Sequence, residues 1–256
     1  MTPLASPSNP LVKKWRQLLT PRGRREHGLF LAEGEHMAGE ALKERAAEAL
    51  LVEAGRQERY AGLVAHGAPL YLASPQVLSA LSDSKTPQGA LAVCRLPAQR
   101  RLEDAGPMLV ALNRVQDPGN VGTILRTMDA AGFDGLLVDP GCADPFSPKA
   151  LRASMGAVFR VPVYPCGDLA EALAMLPGHV KVAGDLRGSP YEKHPPFGGR
   201  VCILVGNEGA GLEERLLRLA DYRLRIPMPG GAESLNAAVS ASLMIYDALL
   251  WGQAPG

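Results

Sequence analysis

The chain has 256 residues, of which 46% are hydrophobic and 21% charged, a composition typical of one large or two small globular domains. Its 27 basic and 26 acidic residues leave a net charge of +1, which excludes a general basic coat, so any contact with nucleic acid must come from a local patch. The four cysteines form no C-x-x-C pair, and the histidines show no ligand spacing (His27, His36, His66, His179, His194), so we expect reduced thiols and no metal site.

The predicted location of the protein follows from what its sequence lacks. No apolar run approaches the ~18 to 20 residues of a membrane span, and the N-terminus lacks the apolar core of a signal peptide. We therefore expect a cytoplasmic protein that does not enter a membrane.

The first 97 residues alternate short predicted helices and strands, which favours a small α/β domain. Asn9 is a candidate N-cap before Pro10, and apolar residues then recur at helical spacing. The Ala-rich segment 35–49 predicts a helix, and 21–25 predicts a basic turn. Further elements are predicted as strands at 28–32, 50–53, 70–73 and 89–95 and as a helix at 75–82.

Basic residues cluster near the N-terminus, where residues 1–32 hold a single acid, Glu26. We predict that this segment contacts RNA, although a solvated basic arm fits the composition equally well. The predicted RNA-binding residues are Lys13, Lys14, Arg22, Arg24 and Arg25.

The polar stretch 96–107, with its prolines and glycine, predicts a domain boundary. We place an N-terminal domain at 1–97, a linker at 98–107 and a C-terminal domain at 108–256. Nearly continuous apolar strands alternate with helices in the last of these, which predicts a mainly parallel sheet covered on both faces. The predicted strands are 108–112, 135–138, 161–164, 180–183 and 201–205.

The first motif, N-R-V-Q-D-P-G-N-V-G-T-I-L-R at 113–126, follows the strand 108–112. Ligands bind at the carboxyl ends of strands in open α/β sheets, so its polar residues are candidates for a site. Asn120 is also suited to be a plain N-cap, and Arg126 could be a solvated residue of the helix 121–131.

The second motif, L-V-G-N-E-G-A-G at 204–211, is a glycine-rich loop after the strand 201–205. Its glycines allow the backbone to approach a ligand closely. Their order, G-x-x-G-x-G, differs from the dinucleotide fingerprint G-x-G-x-x-G, which disfavours a nicotinamide site. Glu208 could alternatively be an acid that complements the dipole of a helix at 212–219.

The third motif, I-P-M-P-G-G-A-E-S-L-N at 226–236, is too rich in proline and glycine for a helix or a central strand. An apolar loop of this kind suits adenine or a thioether better than phosphate. Ser234 and Asn236 precede an apolar helix at 237–251, so both could be simple caps.

In this order the three motifs resemble those of the SpoU/TrmH family of RNA 2′-O-ribose methyltransferases, within the SPOUT superfamily. The segments N-P-x-V-K-x-W, R-G-R-R-E and F-L-A-E-G are similar to the substrate-binding domain of many rRNA-directed members. The resemblance implies an α/β fold whose C-terminal, mainly parallel sheet carries a deep trefoil knot, a topology that general rules make rare. A small α/β RNA-binding domain would precede it.

The resemblance also implies the chemistry. The protein would be a homodimer that transfers a methyl group from S-adenosylmethionine to a ribose 2′-hydroxyl in structured RNA, ribosomal RNA rather than tRNA. Arg126 would lie at the reacting ribose, with Asn120 and Glu208 orienting it and Ser234 and Asn236 shaping the site. By position, the cofactor loops would include Leu204, Gly206, Ile226, Met228 and Leu235.

The mechanism and two other functions stay open at this point. A ribose hydroxyl is a poor nucleophile and needs a base or strong stabilisation of its anion, but a guanidinium resists deprotonation. Arg126 is therefore either a base or an electrostatic clamp. The alternatives to a methyltransferase are an inactive RNA-binding protein of the same fold and a nucleotide-dependent oxidoreductase, for which the fingerprint is wrong.

Overall fold

The structure is a computed structural model that describes residues 1–64, 67–191 and 197–251, so His66 and His194 lie outside the described residues. Contacts divide the chain into two compact units, Met1–Ala98 with Asp144–Arg160, and Gln99–Ala143 with Val161–Gly256. No helix in the described ranges is long and apolar enough to cross a membrane. The same ranges contain no group of three or more His, Cys, Asp or Glu residues placed to hold a metal ion.

Helices and strands alternate along much of the chain. In sequence order they are β1 (Thr2–Leu4), α1 (Pro10–Arg16), α2 (Pro21–His27), β2 (Leu29–Glu33), α3 (Glu35–Lys43), β3 (Ala47–Glu53), α4 (Ala61–Val64), β4 (Leu70–Ala73), α5 (Pro75–Leu81), β5 (Ala90–Arg95), β6 (Met108–Leu112), α6 (Pro118–Ala131), β7 (Gly135–Val138), α7 (Pro148–Ser154), β8 (Val163–Pro165), α8 (Leu169–Ala174), β9 (Val180–Pro190), β10 (Val201–Val205), α9 (Glu214–Leu217), β11 (Tyr222–Arg225) and α10 (Ala237–Trp251). Short 3-10 turns occupy Gln17–Leu19, Gln57–Tyr60, Leu102–Asp104 and Ala157–Phe159.

The first unit is built on a mixed sheet with the strand order β1-β4-β3-β5-β2. Strands β1, β4 and β3 run parallel, and β5 is antiparallel to both β3 and β2. Trp15 and Leu18 of the first helical segment are buried against the sheet, and Trp15 meets Tyr71 edge to face with ring centroids 5.4 Å apart. Asn9 caps α1 as predicted, since its side chain accepts the N–H of Leu11 at 2.9 Å.

Two predictions for this unit are wrong. The basic segment 21–25 is a helix and not a turn, because Thr20 accepts the N–H of Gly23 and Pro21 occupies the first helical position. The predicted helix 35–49 ends at Lys43, after which Arg45 takes a left-handed φ of 55°. Pairing of β3 with β4 and β5 outweighs the helix propensity of its alanines.

The segment Asp144–Arg160 belongs to the first unit, although the sequence places it in the C-terminal domain because it lies between two strands of that domain. Two arginines of the segment form salt bridges with carboxylates elsewhere in the first unit, Arg152 with Asp83 and Arg160 with Glu40. Two aromatic rings of the segment, Phe146 and Phe159, pack against Phe30 at centroid distances of 5.1 and 5.8 Å.

The second unit contains a sheet with the strand order β11-β9-β10-β6-β7-β8, in which every neighbouring pair is parallel. The predicted mainly parallel sheet is therefore confirmed. The central strands β6, β7 and β10 have the predicted bounds and are almost fully buried. Because β6 and β10 are paired in register, from Met108 with Val201 to Leu112 with Val205, the loops that follow them leave the sheet side by side.

Candidate functional site

Asn113 holds together the loops at the carboxyl edge of the second sheet. Its side chain is 1% exposed, and its Oδ1 accepts the N–H of Glu213 at 3.1 Å while its Nδ2 donates to Asp139 at 2.7 Å. Its own N–H donates to the carbonyl of Val205 at 2.9 Å. The loops after β6, β7 and β10 are thereby fixed to one another.

A chain of side-chain hydrogen bonds joins the three sequence motifs. The Nδ2 of Asn120 donates to Oε1 of Glu208 at 2.6 Å, and the Nδ2 of Asn236 donates to Oδ1 of Asn120 at 3.0 Å. Both amide orientations are fixed, because Oδ1 of Asn236 accepts the N–H groups of Ala238 and Val239. Residues 116 positions apart in the sequence therefore form one polar cluster, which we call the amide relay (Asn120, Glu208, Asn236).

The hydrogen bonds show which of these three residues cap a helix. Helix α6 is capped by Asp117, whose Oδ1 accepts the N–H of Gly119 at 2.6 Å, so the interpretation of Asn120 as the N-cap is wrong. Glu208 lies outside the first turn of α9, which begins at Glu214 instead of the predicted 212. Asn236 does cap α10, and it binds Asn120 at the same time.

Arg126 is exposed on α6 and makes no ion pair with any residue that the structure describes. Asn120 and Glu208 bind each other rather than Arg126, so the predicted orienting contacts are not formed in this state. Arg126 lies six positions after Asn120, which corresponds to about 9 Å along the helix axis.

A cavity of about 370 Å³ opens beside the relay. Its walls include every residue predicted to bind the cofactor, which are Leu204, Gly206, Ile226, Met228 and Leu235. Glu208 and Ser234 also line it, whereas Asn120, Arg126 and Asn236 do not. The size falls within the range of small-molecule sites.

Part of the cavity wall is absent from the sequence prediction. Strand β9 continues past the predicted end at 183 and contributes Asp185 and Arg187, and α10 contributes Met244. Burial raises the pKa of Asp185, but the N–H of Arg187 and the guanidinium of Arg223 outweigh it and hold the pKa below its ordinary value. The segment D-L-R-G lacks strand periodicity, so nothing in the sequence pattern marked it.

Gly206 is required for a structural reason that the sequence did not predict. A Cβ at this position would lie 2.3 Å from the carbonyl carbon of Gly211 and 2.4 Å from the nitrogen of Leu212. These are backbone atoms of the same loop, which closes on itself through paired hydrogen bonds between Asn207 and Gly211. The glycine permits loop closure, and it also lines the cavity directly.

The predicted RNA-binding residues divide into two groups. Lys13, Lys14, Arg22 and Arg25 are exposed, and Arg22 pairs with Glu26 at 2.7 Å. Arg24 is only 2% exposed: it donates to Asp144 at 2.6 Å and to the carbonyl of Leu18 at 2.8 Å. The prediction that Arg24 contacts RNA is wrong, because its charge is already used to hold the segment Asp144–Arg160.

Known proteins resemble this chain in both sequence and fold. Residues 9–92 match the MRM3-like substrate binding domain, and residues 107–246 match the SpoU rRNA Methylase family. The chain is 37% identical over 249 residues to the 23S rRNA (guanosine(2553)-2′-O)-methyltransferase RlmP of Bacillus subtilis, with 96% of this chain and 98% of that protein aligned.

Solved structures agree with these sequence matches. The AdoMet-bound rRNA methyltransferase of Sinorhizobium meliloti superposes with a TM-score of 0.83 at 34% identity, covering 96% of this chain and 97% of that one. The SpoU methyltransferase AviRb of Streptomyces viridochromogenes, in complex with AdoMet, gives 0.85 at 29% identity, covering 94% and 97%. With its family match, its full-length relative and its amide relay built from the three motifs, the chain belongs to the SpoU rRNA methylase family.

Proposed function

We propose that the protein transfers a methyl group from S-adenosylmethionine to a ribose 2′-hydroxyl in ribosomal RNA. The observation that carries the proposal is the amide relay, which brings the three motifs together and whose Glu208 lines the cavity. The B. subtilis relative acts on 23S rRNA, and a relative from Streptomyces viridochromogenes is a 23S rRNA (uridine(2479)-2′-O)-methyltransferase. No observation favours an inactive RNA-binding protein or an oxidoreductase.

The cavity walls suit this cofactor. Leu204, Ile226 and Leu235 supply apolar surface for an adenine ring, and Met228 supplies a polarizable thioether. The backbone groups of the loop 206–211 are available to its polar edges. We propose that these residues hold S-adenosylmethionine, as AdoMet is bound in the two structural relatives.

The cofactor would supply an electrophilic methyl group on its sulfonium sulfur and leave as the neutral thioether, while the attacking 2′-hydroxyl would lose its proton to solvent, to which Arg126 is exposed. Arg126 is the proposed group at the ribose. Its guanidinium stays protonated, so we assign it the stabilisation of negative charge that develops on the 2′-oxygen. The amide relay positions the loop of Glu208 against the start of α6, the helix that carries Arg126.

We propose that two copies of the chain associate through α10. Four side chains along this helix leave a large part of their apolar surface exposed, namely Val239 at 48%, Leu243 at 45%, Tyr246 at 43% and Leu250 at 70%. An apolar patch of this kind on a protein surface marks an interface. Homodimerisation and the trefoil knot of the second sheet follow from the family resemblance and are parts of the same proposal. We also propose a cytoplasmic location, which rests on the sequence pattern alone.

The proposed function is tested by mapping ribose methylations in total RNA from cells with and without the gene. We expect one 2′-O-methylated nucleotide of ribosomal RNA to disappear when the gene is deleted and to return when it is supplied on a plasmid. An identical methylation map in both strains would contradict the proposal. A lost methylation confined to tRNA would correct the substrate class.

A further inference from the structure

Arg114 is an exposed arginine with an unusual backbone conformation. It is the second residue after β6, and its φ of 57° lies in the left-handed region. Only glycine, and to a lesser degree asparagine and aspartate, adopt this conformation readily, so an arginine here is strained. Such strain persists only where the surroundings enforce it, and it concentrates at functional sites.

The neighbouring residues hold Arg114 in this left-handed conformation. The N–H of Arg114 donates to Oδ1 of Asp139 at 3.1 Å, and its carbonyl accepts from Nδ2 of Asn207 at 3.0 Å. A Cβ on Gly141 would lie 2.8 Å from the Cγ of Arg114, so the base of the arginine side chain packs directly on that glycine. The backbone would be formed equally well, and without strain, by a glycine at position 114. The arginine side chain must therefore be explained separately.

An ion pair does not explain the presence of an arginine side chain at position 114. The guanidinium lies 3.9 Å from Glu213, with the two side chains 56% and 33% exposed, and surface pairs of this kind contribute little. Glu213 is also bound more closely by Arg215, at 2.8 Å. Arg114 thus keeps donors available to an external anion.

The position of Arg114 indicates which anion. Asn207, which binds its carbonyl, is adjacent in sequence to Glu208 of the amide relay, and Arg114 belongs to the loop that leads to Asn120. We propose that Arg114 binds a backbone phosphate of the RNA next to the methylated ribose, an inference that rests on the proposed function. An arginine fork held on a fixed backbone is suited to bidentate phosphate binding, with less side-chain entropy to lose.

The test compares Arg114→Gly, which removes the side chain and relieves the strain, with two matched variants. Arg218→Ala removes the same charge from another exposed position of the second unit, and Glu213→Gln removes the neighbouring acid. Binding of an unmodified 23S rRNA transcript is measured over a series of salt concentrations, together with the Kd for S-adenosylmethionine and the Tm of each variant.

We expect Arg114→Gly to weaken RNA binding at least fivefold and to lower the slope of log K against log salt by about 0.7 to 0.9, the value for one lost phosphate contact. Its cofactor Kd should stay within twofold of wild type and its Tm should not fall. Arg218→Ala should leave the slope unchanged, and Glu213→Gln should not weaken RNA binding.

Three outcomes would overturn the inference. RNA binding and slope equal to wild type in Arg114→Gly would show that no phosphate is bound there. A fall in Tm shared by Arg114→Gly and Glu213→Gln, with RNA binding unchanged, would assign the arginine to the ion pair. Failure of the wild-type protein to bind the transcript would refute the proposed function itself and this inference with it.

Discussion

Substituting Gly206 by alanine tests how the glycine loop forms the cavity. The added Cβ would meet three backbone atoms, the carbonyl carbon and oxygen of Gly211 and the nitrogen of Leu212, at 2.3 to 2.5 Å. Nonbonded carbon atoms rest about 3.5 Å apart, so the loop must open by about 1 Å. Backbone cannot rotate away as a flexible side chain can, and the paired hydrogen bonds between Asn207 and Gly211 oppose the opening.

The cost follows from that geometry. Overpacking of this kind costs about 1 to 3 kcal/mol, which corresponds to roughly a 5- to 150-fold change in an equilibrium constant. If the strain is relieved when the loop opens, the cofactor Kd rises by that factor. The bond of 2.6 Å between Glu208 and Asn120 lengthens as well, so methyl transfer should fall further than cofactor binding.

Gly209→Ala is the matched control, because its Cβ would meet Oδ1 of Asn207 at 3.6 Å, an ordinary contact in the same loop. Calorimetry gives the Kd for S-adenosylmethionine, and thermal unfolding shows whether each variant is folded. We expect a Kd raised at least fivefold for Gly206→Ala and within twofold of wild type for Gly209→Ala. A folded Gly206→Ala with wild-type affinity would show that this loop is not a wall of the cofactor site.

Three further predictions follow from single contacts. Asn120→Asp places a second carboxylate where an amide now donates to Glu208 at 2.6 Å, so methyl transfer should fall at least tenfold at pH 8. Activity should recover in part at pH 6, because two adjacent carboxylates favour protonation of one of them. Asn120→Ala should show no such recovery. Burial lowers the pKa of His179, so the folded protein favours the neutral form of its imidazole. The free energy of unfolding, measured by urea titration, should therefore decrease as the pH falls below about 6.5. The decrease should be smaller in His179→Gln. Arg24→Ala should lose about 3 kcal/mol of unfolding free energy, because it leaves Asp144 without its buried partner. Arg25→Ala should lose almost none and should reduce only the affinity for RNA. Equal losses in the two variants would contradict the structural role of Arg24.

Strands with a strong apolar signal could be predicted from the sequence. The bounds of β6, β7 and β10 match the prediction because these strands are buried on both faces and read as continuous apolar runs. Helix α10 also has its predicted bounds, because Asn236 stops the loop and starts the helix. Local composition determines such elements.

Elements that depend on distant partners could not be predicted. The strand β3 replaces the end of a predicted helix because its pairing with β4 and β5 outweighs local propensity. The burial of Arg24 depends on Asp144, which is 120 residues away in the sequence. No local pattern separates Arg24 from its exposed neighbour Arg25.

The candidate site was likewise predicted only where it rests on local sequence motifs. The motifs identify Asn120, Glu208 and Asn236, but only the fold shows that their side chains bind one another. The cavity wall from β9 carries no recognisable motif, and Arg114 is distinguished only by its backbone conformation.

The most direct test of the proposed mechanism uses purified protein, an unmodified rRNA transcript and S-adenosylmethionine labelled in its methyl group. After digestion of the RNA to nucleosides, we expect the label in a 2′-O-methylated nucleoside with the wild-type protein. Arg126→Ala should yield at least 100-fold less product while its cofactor Kd stays within twofold of wild type, since Arg126 does not line the cavity. Label on a base, or activity of Arg126→Ala within about tenfold of wild type, roughly 1.4 kcal/mol in the barrier, would contradict the account.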